Sequence, residues 1–247
     1  MQKDDDNDFR ILEIIGRAFM RLGNYVPAPK RVPYLNGYVY RYEEQTIQQA
    51  LILKLARRAS TLRAALILHK NSHLQEQGAL QRMMDEQDHD IMFLTLAITE
   101  RDFTNLHKRF LDDFFEEEFD KPGDPVGSTQ KRASIPRKKI HAYNARFSAS
   151  IMDPNRSIAL SKTLHKTYSG YVHSAAVHVL EMYGGLPPQF HIFGINDPDR
   201  IDLYRDDLWN YFYRALVSFA VASKAFGDAE LLDWLKTEID ALSKETM

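Results

Sequence analysis

The chain has 247 residues, 44% hydrophobic and 27% charged, with a formal net charge of −2. That composition fits one large or two small globular domains with a substantial core, and it excludes a global field that would attract nucleic acid or an anionic membrane. The absence of cysteine excludes disulfides, thiolate catalysis and cysteine-ligated metal sites, and it fits a reducing compartment.

The N-terminal stretch "MQKDDDNDF" is acidic and has no apolar h-region, and no run reaches the length of a membrane span. A cytoplasmic location and no membrane partner are therefore expected. Residues 7–23 read as a helix, with Asp8 as N-cap, an apolar stripe of Phe9, Leu12, Ile15, Phe19 and Leu22, and Gly23 as its stop. Residues 24–38 hold three prolines, which predicts an ordered surface strap. A long apolar helix is expected from Tyr40 to about Leu74, a turn or restart at Gly78, and helices over 79–102 and 103–119. The Pro, Gly and Ser content of 120–136 marks a loop. Helices follow over 137–152 and from Asp153-Pro154 to Tyr183, with Asp153 as N-cap and Gly184-Gly185 as the stop. A long connection covers 184–199, and two helices, about 200–226 and 229–243, end the chain. The expectation is all-α: a single domain, 1–247, forming a bundle of six to eight helices with long central helices and no sheet.

The second half of 79–102, "IMFLTLAI", is apolar all round and should be central. Arg82, Glu86, His89 and Phe93 share one face of it, so the polar stripe runs into a buried one. An Arg–Glu pair at the core edge is the bland reading. His165, Ser169 and His173 share a face of the helix expected over 155–183. His173 sits among apolar and small residues and should be buried, paired with Glu86. His178 points elsewhere, with Glu181 three residues on. An acid, a guanidinium and an imidazole in one half-buried pocket would bind a phosphate or act on one.

"LQRMMDE" (80–86) and "SGYVH" (169–173) place Leu-x-Arg-x-x-x-Glu on one helix and Ser-x-x-x-His on a later one. Over residues 40–183 this resembles a group of all-helical bacterial proteins of unknown function, similar to HEPN-like domains. The resemblance implies a helical bundle associated with defence, toxin–antitoxin or mobile-element systems, and in some relatives metal-independent RNA cleavage. Arg82, Glu86, Ser169 and His173 are the matched positions. Active HEPN ribonucleases also carry an Arg and a His on one turn of a late helix. Here that pairing is absent from 155–183, while matches occur at Arg63/His69 and Arg101/His107. Two roles stay open: a regulatory or binding protein with a homodimeric or other protein partner, or a ribonuclease or nucleotide-binding enzyme using Arg82, Glu86 and His173.

Other patterns are weaker. His69 and His73 have metal-ligand spacing, and Glu86-x-x-His89 resembles half of a di-iron site, but no second Glu-x-x-His follows. Asp112, Asp113 and Glu116 belong to an acidic run that reads as a solvated face. No metal and no cofactor are expected. Lys131, Arg132, Arg137, Lys138, Lys139 and Arg146 form a basic run. It would either contact the phosphates of RNA or a nucleotide, or neutralise the acids before it.

Overall fold

A computed structural model describes residues 2–132, 134–147 and 154–245. Among them are nine α-helices: α1 (Gln2–Gly23), α2 (Ile47–Lys70), α3 (Leu74–Thr99), α4 (Asn105–Phe115), α5 (Arg137–Phe147), α6 (Pro154–Val172), α7 (Ala176–Val179), α8 (Pro198–Phe226) and α9 (Ala229–Glu245). Helix accounts for 70% of the structure. The expected Asp153 cap lies outside the described residues.

Two short antiparallel hairpins correct the expectation of no sheet: β1 (Lys30–Tyr34) with β2 (Gly37–Arg41), and β3 (Tyr183–Gly184) with β4 (Gln189–Phe190). The first replaces the expected strap. Val32 pairs with Val39 and Tyr34 with Gly37, and the turn passes through Leu35 and Asn36, with Leu35 at φ 49°. Val32 and Val39 are half-buried while Arg31, Pro33, Tyr38 and Tyr40 face outward, the period-two alternation of a one-sided hairpin.

Local chemistry sets the helix ends. Thr46 accepts from the Gln49 N–H while the Gln49 side chain accepts from the Thr46 N–H. This capping box starts α2 at Ile47, not at Tyr40. α1 starts upstream of Asp8, which is no cap: its carboxylate is buried and accepts two bonds from Arg205, at 2.8 and 2.9 Å. The buried stripe of α1 is Ile11, Ile14, Ile15, Ala18 and Leu22, with Phe9 turned to solvent. Gly78 does not break α3. A Cβ there would lie 2.8 Å from the Tyr171 ring, so glycine is what lets α6 close on α3.

α3 is the central helix, as its all-round apolar segment predicts. It packs against α2, α8, α6 and α5, and one continuous core takes Ile91, Phe93 and Leu94 from it, Leu55 and Leu62 from α2, and Phe212, Leu216 and Phe219 from α8.

The helix expected to run to Tyr183 stops at Val172. Ser174 adopts φ 50° and the Ala175 N–H returns to the Gly170 carbonyl at 2.9 Å. α7 and a 3-10 turn (Leu180–Met182) then lead into β3. Small residues at 174–176 here serve a chain reversal, and Ala176 is exposed rather than wedged against a neighbouring helix. Among the described residues no helix is long and apolar enough to cross a membrane.

Candidate functional site

The face of α3 read from the sequence forms a polar site against α5. Arg82 is buried, and its Nη2 donates to Glu86 Oε1 at 2.6 Å, one turn on. His89 Nδ1–H donates to the Asp85 carbonyl at 2.7 Å, which leaves Nε2 as the acceptor in the neutral ring. Burial pushes the His89 pKa down, with the bond to Asp85 opposing. From α5, the His141 ring lies 4.2 Å from that of His89, and Asn144 Nδ2 donates to the His89 carbonyl at 2.9 Å. Arg137 donates to the Glu86 carbonyl at 2.9 Å and to Asp90 Oδ1 at 2.5 Å. Chemically, this is two carboxylates, two guanidinium groups and two imidazoles along one helix pair.

His173 is not part of it. Its imidazole is exposed and makes no hydrogen bond or ion pair with Glu86. Burial was expected because the helix was read as continuous through 183. Ending α6 at Val172 puts residue 173 in the reversal, where its N–H donates to the Ser169 carbonyl at 3.1 Å.

Three members of the basic run are held within the chain. Arg137 is committed to Asp90, Arg146 to Asp102 at 3.0 Å, and Arg132 to the carbonyl of Asp113. Arg41 reaches Glu117 from the first hairpin. Lys131, Lys138 and Lys139 are exposed. The His69/His73 spacing loses its meaning because α2 ends at Lys70. His69 meets Gln77 at 3.0 Å, and His73 lies at the start of α3. Among the described residues no three His, Asp or Glu side chains group as metal ligands. His107, half of one Arg–His match, is fully buried, stacks on Phe93 at 4.0 Å and caps α4 by accepting the Thr104 N–H at 3.0 Å.

Two constellations escaped the sequence reading. One is an ionic network on the neighbouring face of α3, turned toward α2 and α8. Arg58 of α2, fully buried, donates to Asp88 at 2.6 Å and to the Tyr211 carbonyl at 2.8 Å. Arg214 of α8 bridges Asp85 and Asp88 at 2.7 and 3.0 Å. Its signal was in the sequence: Leu51, Leu55, Arg58 and Leu62 follow a helical stripe, so an arginine occupies a core position.

The other lies beside the second hairpin. Glu181 Oε2 accepts from Tyr204 at 2.7 Å, from Gln75 at 3.0 Å and from Tyr171 at 3.4 Å, and the two tyrosine hydroxyls are 2.6 Å apart. Burial raises both tyrosine pKa values. Gly78 and Gly170 carry the trace of it. They are the positions that the Tyr171 and His178 rings approach too closely for a Cβ.

Comparison with protein-family models, with curated proteins and with solved structures finds no match to this chain.

Proposed function

We propose that the protein works by docking a second copy of itself, as an interaction protein rather than as an enzyme. One observation carries this. Between 172 and 193, seven large apolar side chains face outward: Val172, Val177, Leu180, Leu186, Phe190, Ile192 and Phe193, with Leu186 99% and Phe193 89% exposed. Chains do not leave that much apolar surface wet without a use for it. Together these side chains offer on the order of 800 Å2, each partner's share of a standard-sized protein interface. They fall within 172–193 of the sequence, where Tyr183 pairs with Phe190 and Leu186 sits in the loop between β3 and β4. The site on α3 fits the same reading, since Arg82 is spent on Glu86 and Arg137 on Asp90 in ion pairs. The HEPN-like resemblance belongs to the proposal, as a paired helical regulator in a bacterial defence, toxin–antitoxin or mobile-element system.

Light scattering across a concentration series tests it. Dimer is expected, and Leu186→Lys with Phe193→Lys should weaken it at least tenfold while leaving the helical spectrum intact. A chain that stays monomeric at every concentration overturns the proposal. Incubation with RNA addresses the other role: cleavage that disappears in Arg82→Ala would make the protein a ribonuclease instead.

A further inference from the structure

We propose that the cavity between Glu181, Tyr183 and Asp197 binds a small organic cation, a protonated amine. The cavity measures about 240 Å3 and is lined by Glu181, Tyr183, Gly184, Gly185, His191 and the Ile195–Pro198 segment. It is smaller than the roughly 300–1,000 Å3 of pockets for drug-sized ligands, which limits the occupant to a few heavy atoms.

The walls are rich in acceptors. Glu181 is held by three donors on Oε2, which fixes the carboxylate, while Oε1 has only His178 Nδ1 near it, at 3.8 Å, beyond hydrogen-bond reach. One anionic oxygen is therefore fixed in place but not used. His191 Nε2–H donates to the Gly184 carbonyl at 3.1 Å, so in the neutral ring Nδ1 is a further acceptor. Asp197 adds a second carboxylate, half-exposed. Arg200 donates to the main-chain carbonyl of Glu181 at 2.5 Å and lies 3.5 Å from Asp197, so its charge goes to Asp197 and not to the Glu181 carboxylate. The N-terminus of α8 does not turn the site toward anions. Asp197 accepts the Arg200 N–H there at 3.3 Å, and Pro198 has no N–H to offer. Tyr183 supplies an aromatic face at the wall, braced edge-on by Phe190 at 5.0 Å. Carboxylates and an aromatic ring lining one cavity are the chemistry that holds an ammonium group, by charge-assisted hydrogen bonds and cation–π attraction. The inference does not depend on dimer formation, and its test uses different residues.

Titrate the full chain with ethylamine, butylamine and putrescine, and with the corresponding alcohols as neutral controls, following backbone amide NMR shifts. Amines should shift Gly184, Gly185 and Asn196, and the alcohols should not. Asp197→Asn keeps the α8 cap, because Asn caps as well as Asp, and should weaken amine binding at least threefold. Glu181→Gln should weaken it at least tenfold. Unshifted hairpin amides with every amine at millimolar concentration would overturn the proposal. So would alcohols that match the amines, or amine affinity unchanged in both variants.

Discussion

The two faces of this molecule invert the usual distribution of charge and oil. Around α3 the interior holds Arg58, Asp85 and Asp90, with Asp88 half-buried at its edge, while between 172 and 193 the exterior holds Leu186, Ile192 and Phe193. Buried charge survives only where each group has a partner of fixed geometry, and α3 provides this by taking its partners from three helices: Arg58 and Lys54 from α2, Arg214 from α8 and Arg137 from α5. Such a network sets the register of four helices, because a shift of one turn would strand every ion at once. Exposed apolar groups have no such internal partner, so their purpose lies outside the chain. The first region ties four helices together, and the second is where function is proposed.

The largest effect should come from breaking the network. Asp88→Ala leaves the Arg58 guanidinium, fully buried, without its carboxylate, and also removes a partner of Arg214 and of Ser218. Loss of about 3–5 kcal/mol is expected in urea unfolding, since one buried ion is stranded. A loss under about 1 kcal/mol would mean that water reaches Arg58, and the contrast between the two regions would lapse.

The fold was legible where one period governs a long segment. α8 and α9, and α3 from residue 79 onward, follow from helical pattern, and Gly227, at φ 73°, ends α8 as a stop glycine should. It was not legible where non-local contacts decide. Nothing local says that the Asp8 carboxylate will meet Arg205, or that Gly78 answers a ring from residue 171. The break after Val172 hides for a similar reason, because "SAA" suits a helix contact as well as a chain reversal. On the candidate site, the Arg82–Glu86 pair follows from i, i+4 spacing alone. His141 and Asn144 arrive from α5, and spacing within α3 cannot announce them.

A second prediction follows from His107. Its Nδ1 accepts the Thr104 N–H, which requires a neutral ring, and burial pushes its pKa down to about 4 from about 6.5. As pH falls, the unfolded chain therefore takes up the proton first. The stabilisation is complete above about pH 6.5 and is lost as pH drops toward about 4, on the order of 3 kcal/mol in all. His107→Gln, which can still close the capping box, should flatten this part of the pH–stability curve. An identical slope in the variant would assign the acid sensitivity to other groups.

Gly78→Ala should cost about 1–3 kcal/mol by overpacking against Tyr171, even though alanine is favoured over glycine in a helix by about 1 kcal/mol. The sign is the informative part. In a Tyr171→Ala background the ring is gone, and the same substitution should turn stabilising. If Gly78→Ala stabilises the unaltered chain, α6 does not sit against α3 as described.

The smallest effect on stability separates the two regions most sharply. Leu186 and Phe193 touch solvent over most of their surface, so replacing each by lysine removes little packing from the monomer. Measured at a concentration where only monomer is present, the unfolding free energy should change by less than about 0.5 kcal/mol. At higher concentration the unaltered chain should gain apparent stability by mass action, and the variants should not. The comparison thus reads the interface as a concentration dependence rather than as a shift in one midpoint. A monomer destabilised by as much as Asp88→Ala would mean that these side chains belong to the core after all, and that the outward face of 172–193 closes on its own chain.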